Sequence, residues 1–275
     1  MKLHTSDKDE VRAIRESMIH IGYLCSQSAH FGGGLSIVEI LFIIYKYFLR
    51  ITPESTGDPS RDVFVLSKGH GVLGLYGVLH HFGFIKKIDF EGFQSNGGPL
   101  IAHPIKNEAF GIESSNGSLG QGLSFLSGVA LASRLKNEDR RFYTLLGDGE
   151  CNEGSVWEAA MFCSQQSLSN IVAIVDVNGF QNDDSTEKVS SQKSISDRWA
   201  SFGWKVYNVD GHDLDALHGA VKSSSDWQGG PSVILAKTVK GKGVSFMEGN
   251  NEWHHNRLTS KTYEQALKDV RDANR

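Results

Sequence analysis

Leu145-Leu146-Gly147-Asp148-Gly149-Glu150 decides how this chain reads. Residues 142–146 form an apolar run with the length of a buried strand, and the run ends in a Gly-Asp-Gly turn. A helix is expected close behind, because Ser155-Val156-Trp157-Glu158 has the pattern of a capping box. Strand, turn and helix in that order make half of a βαβ unit. Three further runs look like strands, at 171–176, 205–209 and 232–238. They are apolar or β-branched, as strands covered on both faces are. Helical periodicity predicts helices over 8–24, with Ser6 as cap, and over 121–135, 155–166, 213–223 and 260–272. Another is expected from a second capping box, Ser36-Ile37-Val38-Glu39, to Leu49, with Gly32-Gly33-Gly34 breaking the chain before it. This alternation predicts an α/β fold, a single domain whose mainly parallel sheet has helices on both faces.

Composition narrows the function. The 275 residues carry 28 Lys plus Arg against 32 Asp plus Glu, a net charge of −4. That balance argues against a nucleic-acid surface and against a polybasic membrane anchor. Cys25, Cys151 and Cys163 are odd in number and form no C-x-x-C pair, which describes neither a disulfide framework nor a zinc site. The first residues hold no apolar run, so no signal peptide is expected, and residues 40–45 are too short to span a bilayer. These features predict a cytoplasmic protein with neither nucleic-acid nor membrane partner. Glycine is the outlier, at 30 residues against 5 prolines, and suggests backbone lying close to a ligand.

A carboxylate at the carboxyl end of a parallel strand sits where open α/β sheets bind ligands. One helix after Asp148, another strand ends in Val177-Asn178-Gly179-Phe180. If the two strands are neighbours, Asp148, the Asn178 side-chain oxygen and the Phe180 carbonyl converge. Such hard oxygen ligands suit Mg²⁺, with Ca²⁺ or Mn²⁺ as substitutes, bound together with phosphate oxygens. Taken singly, Asp148 could close a turn and Asn178-Gly179 could be an ordinary turn. The pairing favours a site.

Gly147-Asp148-Gly149, a helix and a strand ending in Asn178 resemble the thiamine diphosphate motif. The neighbouring words resemble the transketolases, and especially the N-terminal half of the split, two-chain bacterial form. They are Leu66-Ser67-Lys68-Gly69-His70, Gly117-Ser118-Leu119-Gly120-Gln121-Gly122, Asn152-Glu153-Gly154-Ser155-Val156-Trp157-Glu158, Val209-Asp210-Gly211-His212-Asp213 and Lys240-Gly241-Lys242-Gly243. The resemblance runs from about Val11 to His254. It implies that residues 1–275 form one diphosphate-binding domain with thiamine diphosphate and Mg²⁺ as cofactors. It also implies that Asp148, Asn178 and Phe180 hold the metal. His70, Gly117, Ser118, Leu119, Gly147, Asp148, Gly149, Glu150, Asn178 and His254 would lie along the cofactor.

The resemblance gives catalytic roles to His30, His70, His103 and His254, which would surround the reactive thiazolium carbon and hold the substrate's hydroxyls and carbonyl. Histidine suits the work, because ketol transfer needs groups that donate and accept protons near neutral pH. Glu153 matches an acidic residue that couples two active sites across an interface, though a first-turn glutamate would also suit the helix dipole. His212 reads as structural, and His80, His81, His218 and His255 as ordinary histidines.

The implied activity is transfer of a two-carbon ketol unit from a ketose, as its phosphate, to an aldose. Alternatives are a thiamine enzyme acting on 2-oxo acids, an enzyme of unusual-sugar metabolism, or a non-catalytic module of the same fold. The resemblance to the split form implies that the pyrimidine-binding and C-terminal domains lie on another chain. A second subunit in an α₂β₂ assembly is therefore expected, covering the faces at 117–126 and 153–161. Three departures bear on the substrate. Phe31 replaces the usual proline beside His30 and is expected to reshape the substrate mouth. Phe180-Gln181-Asn182-Asp183-Asp184 replaces Leu-Gln-Ile-Asp-Gly, and His255 replaces a glycine.

Overall fold

Five strands alternate with helices along the chain, and all of them pair in parallel. The computed structural model describes residues 5–191 and 194–272. The strands are β1 (Val63–Leu66), β2 (Phe142–Gly147), β3 (Ile171–Val177), β4 (Lys205–Asp210) and β5 (Ser232–Lys237), in the order β1-β2-β3-β5-β4. The helices are α1 (Thr5–Leu24), α2 (Phe31–Leu35), α3 (Val38–Ile43), α4 (Val72–His81), α5 (Lys87–Glu91), α6 (Gly122–Leu135), α7 (Gly154–Gln165), α8 (Thr186–Ser190), α9 (Ile195–Ser201), α10 (Leu214–Asp226) and α11 (Ser260–Asp272).

Alternate residues of each strand serve opposite faces, and this splits the core in two. Leu66, Leu145, Ile174 and Ile234 pack with α1–α4, α10 and α11. Val65, Leu146, Val175 and Leu235 pack with α6, α7 and α9. The four expected strands are present, each within a residue or two of its expected ends. β1 was not anticipated. It has four residues, all buried, too few to show a pattern. α4 was missed for a related reason: eight of its ten residues are buried, so no polar stripe marks it.

Several local expectations fail for identifiable reasons. Gly32-Gly33-Gly34 does not break the chain but lies inside α2. A Cβ on Gly33 would come within 2.9 Å of the His70 ring, so the helix is glycine-rich to pack against the site. The capping box at Ser36 does not form, because the Ser36 hydroxyl donates to the Gly33 carbonyl and to Asp176 instead. α3 starts at Val38 and gives way at Ile44 to a π-helical turn ending at Phe48. Ser155 does not cap α7 either. Glu153 holds the N-cap position, and the Ser155 hydroxyl donates to the Gly120 carbonyl at 2.9 Å. Ser6 lies within α1, which begins at Thr5.

All three cysteines are free, and two of them are buried. Among the described residues no helix is long and apolar enough to cross a membrane.

Candidate active site

The parallel register sets Gly147 beside Asp176 and Asp176 beside Ala236. The chain therefore leaves β2, β3 and β5 at nearly one level, at the carboxyl edge of the sheet. Asp148 Oδ2 accepts from the Gly179 amide at 2.7 Å, which draws the turn after β3 against the turn after β2. Gly179 has φ of +78°, a conformation glycine adopts without strain. Asn178 Oδ1 accepts from the Phe180 amide at 3.0 Å, and Asn178 Nδ2 donates to Asp176 at 2.8 Å. Asp148, Asn178 and Phe180 thus meet in one place.

This turn suits a divalent cation. Asp148 is 4% exposed. Burial and the neighbouring Asp176 charge push its carboxyl up to about 6, against the opposing pull of the Gly179 and Gly149 amides and of Lys68. A cation beside it would relieve that charge. Among the described residues no group of three His, Cys, Asp or Glu side chains is placed to hold a metal. A cation here would take amide, main-chain and cofactor oxygens besides Asp148.

Other members of the expected cofactor set sit around this turn. The Gly147 amide donates to Glu150 Oε2 at 3.1 Å, and the Gly149 amide to Asp148 Oδ1 at 2.8 Å. These two amides are engaged within the turn. Glu150 is 1% exposed, and its carboxylate also accepts from the Gly120 amide at 2.8 Å and from the Ser67 hydroxyl. These three bonds tie it to the loops around the turn. Gly117, Ser118 and Leu119 lie between Asn116, whose amide donates to the Pro104 carbonyl, and Gly120. Gly117 and Ser118 are exposed beside the His103 segment. Glu153 is exposed at the start of α7 and makes no side-chain cap bond.

Two lysines that received no role from the sequence also belong to this edge. Lys68 is fully buried and pairs with Asp176 at 2.5 Å, donating to the Gly33 carbonyl at 3.1 Å as well. Asp176 further accepts from the Ser36 and Thr238 hydroxyls. Burial pushes the Asp176 carboxyl up, but Lys68 and the hydroxyls outweigh it and hold the group below the usual range. Asp176→Ala would leave the buried Lys68 ammonium with a carbonyl partner alone. We expect the unfolding free energy to fall by about 3–5 kcal/mol, as for broken buried pairs. Urea denaturation measures this, and a loss below about 1 kcal/mol would show that the pair holds nothing together.

Lys240 is 2% exposed, and its ammonium hydrogen-bonds neutral groups: Asn251 Oδ1 at 2.6 Å, His254 Nδ1 at 2.9 Å and the Gln181 carbonyl at 3.3 Å. Burial, with Lys68 nearby, lowers it to about 8 despite the Asp148 and Asp176 charges. A buried ammonium among neutral partners fits an anion such as a diphosphate. A lysine in a glycine-rich turn just past a strand end was the signal for it. Lys68 stood within a family word but had no role, because the strand before it, β1, was not anticipated.

The four expected histidines converge beside Lys240. Ring centroids are 6.0 Å apart for His30 and His70, 5.3 Å for His30 and His103, 5.4 Å for His30 and His254, and 5.3 Å for His70 and His254. Burial, followed by the charges of neighbouring rings and lysines, lowers His30 to about 3 and His254 to about 4. His70 moves down for the same reasons, and His103 through burial and then His255. The cluster is neutral at physiological pH and can donate or accept.

Of the other histidines, His212 is structural as expected. Its Nε2 accepts from the Val239 amide at 2.9 Å, and its Nδ1 lies 3.2 Å from Glu39. His80 stacks on Phe90, His81 pairs with Glu10, and His218 lies against Tyr47 and Phe48. His255 does not fit its ordinary reading, since its ring centroid is 4.4 Å from that of His30. Phe31 is also corrected: it is fully buried, facing Trp253 in the core rather than the mouth. Asn182 is exposed, and its carbonyl accepts from Asn251 at 2.9 Å, joining the turn after β3 to the segment that carries His254.

Residues 6–270 match the family described as transketolase, thiamine diphosphate binding domain. The chain belongs to the transketolase family. Thiamine diphosphate, accompanied by a divalent metal, is the cofactor of this transketolase domain. Among similar proteins, one of the subunits of apulose-4-phosphate transketolase from Phocaeicola vulgatus is 39% identical over 256 residues, covering 93% of this chain and 90% of that protein. The 6-deoxy-6-sulfo-D-fructose transketolase subunit SqwG of a Clostridium species is 39% identical over 241 residues, with 88% of each chain covered. The fold matches the Pichia stipitis transketolase crystallised with sedoheptulose 7-phosphate, with a TM-score of 0.88 and 27% identity over 97% of this chain. The chain spans 41% of that longer transketolase.

Proposed function

We propose that this chain is the diphosphate- and metal-binding subunit of a two-chain transketolase that moves a two-carbon ketol unit from a ketose phosphate to an aldose. The observation that carries this reading is the wall of neutral imidazoles His30, His70, His103 and His254 beside the Asp148 turn. On this reading residues 1–275 serve as one diphosphate-binding domain. Asp148, Asn178 Oδ1 and the Phe180 carbonyl hold Mg²⁺, and Lys240, His70, His254 and the Gly117–Leu119 loop line the diphosphate. Gly147, Gly149 and Glu150 shape the loops that make room for it.

Thiamine diphosphate supplies the electron sink for breaking and making the carbon–carbon bond. The chain's own part is to orient the sugar and move protons. A neutral imidazole can donate to the carbonyl oxygen as it gains charge and accept the proton of the neighbouring hydroxyl. His30, at the centre of the cluster, and His103, on its half-buried loop, suit that work. His70 lies deepest, with the Lys68 charge near it, and His254 is hydrogen-bonded to Lys240.

A partner carrying the pyrimidine-binding domain completes the site, in an α₂β₂ assembly in which Glu153 lies at the interface. The names of the two subunit relatives support a partner. The test supplies the purified pair with cofactor, Mg²⁺, and either ketose phosphates with an aldose acceptor or 2-oxo acids. Aldose release with chain extension of the acceptor is expected. Consumption of 2-oxo acids alone would move the protein to that other class.

His103 separates substrate handling from cofactor binding. It is half-buried on a loop, and the structure gives it no bond to Lys68 or Lys240. His103→Ala is expected to lower kcat about 10²-fold or more, the range for lost proton transfer. Thiamine diphosphate affinity should stay within about twofold, as a purely catalytic role requires. Calorimetry and steady-state rates measure both. Lost affinity with normal turnover at saturation would reverse the assignment.

A further inference from the structure

Residue 255 enters the site through backbone pairing. Ala29 and Asn256 form an antiparallel bridge, exchanging hydrogen bonds of 2.9 and 3.1 Å. The next pair outward from such a doubly bonded pair is 30 opposite 255. It is a non-hydrogen-bonded pair, in which side chains come closest on one face. The rings of His30 and His255 accordingly lie 4.4 Å apart and tilted by 38°. His255 has an extended backbone, with φ −144° and ψ 102°, at the end of the short helical turn Asn251–His254. That turn is held independently of the His255 side chain, by Lys240 to Asn251 and by Asn251 to the Asn182 carbonyl.

Five imidazoles therefore line the site, graded in depth. His70 is set innermost, His30, His254 and His103 are partly covered, and His255 is exposed. Of the three departures from the resembling pattern, Phe31 faces the core and Asn182 joins two loops. Only His255 lies against the histidine cluster.

We propose that His255 is a specificity-determining contact for the sugar, hydrogen-bonding hydroxyls of the chain beyond the transferred two-carbon unit. This rests on the ketol-transfer reading. With the reacting end of a ketose among the inner rings, the remainder of its chain extends toward solvent past the outermost ring. An imidazole there offers one donor and one acceptor, which match the vicinal hydroxyls of a polyol. A glycine at the same place would offer neither.

The test compares wild type, His255→Gly and His255→Asn in the reconstituted two-chain enzyme. His255→Gly is expected to raise KM for the preferred ketose about five- to tenfold, the worth of one or two hydrogen bonds, with kcat within about twofold. His255→Asn, which keeps a donor and an acceptor, should recover most of that affinity. A three-carbon ketose carries beyond the transferred unit only the hydroxyl that gives up its proton, which the inner rings hold, and its KM should be the same in all three proteins. Thiamine diphosphate and Mg²⁺ binding, followed by calorimetry, should be unchanged. Equal KM values for every sugar in an active enzyme would overturn the role of His255 and leave the ketol-transfer reading standing. So would a loss confined to cofactor affinity. A wild-type pair that transfers no ketol unit would remove both.

Discussion

Asp148→Ala is expected to abolish Mg²⁺-dependent binding of thiamine diphosphate, with affinity falling more than about 100-fold, beyond the range for outer-shell partners of a metal. The carboxylate is buried at the junction of two strand ends, in surroundings that already disfavour its charge. It has a second task, since it accepts from the Gly149 and Gly179 amides and closes the two turns. Asp148→Asn separates the tasks. The amide keeps the shape and one acceptor but lacks the charge, so it should lose metal-dependent binding nearly as fully as alanine. Calorimetric titration of the reconstituted pair, with and without Mg²⁺, reads both variants, and circular dichroism checks that they fold. Wild-type affinity in Asp148→Asn would mean that the residue only closes the turns.

The second large effect concerns assembly. This chain alone, with cofactor, Mg²⁺ and a panel of ketose phosphates, is expected to show less than about a thousandth of the activity of the two-chain mixture. That is the size of effect expected when part of a preorganised site is missing. The surface agrees with a partner. Phe125 on α6 is 46% exposed, and Met161 and Phe162 on α7 are 51% and 38% exposed, although the two helices pack together. Large apolar side chains clustered on an outer face mark interaction sites. Sedimentation before and after mixing should show a complex whose formation parallels the activity. Robust ketol transfer by the single chain would defeat the prediction.

Much of the sheet edge was legible because its chemistry is written in short words. Asp148 and Asn178 each follow an apolar run, and parallel pairing of those runs brings them together. His30, His70, His103 and His254 could be singled out only through family resemblance, since their contacts span most of the chain. What escaped had no local signature. β1 is short, α4 is apolar on nearly all sides, and the glycines of α2 read as a break. The serines expected to cap helices were drawn away by tertiary partners, Ser36 by Asp176 and Ser155 by Gly120. His255 stood out as a departure but received no place in the site, because that place depends on a bridge between positions 29 and 256, which no reading of nearby residues can anticipate.

The order of the strands in the sheet is not the order in which the chain is made. β4 is synthesised before β5, yet β5 is the strand that sits between β3 and β4. At about 5–20 residues per second, roughly 3 to 12 seconds separate the end of β3 from the end of β5. Throughout that interval β3 shows an unpaired apolar edge, the kind of template on which foreign strands add. β4 meanwhile has no neighbour to dock on. Thr238 and Lys240 follow directly behind β5, so Asp176 gains its last hydroxyl and the ligand edge its second ammonium only when that strand inserts. For the nascent chain, covering its most adhesive edge and finishing its binding site are one event.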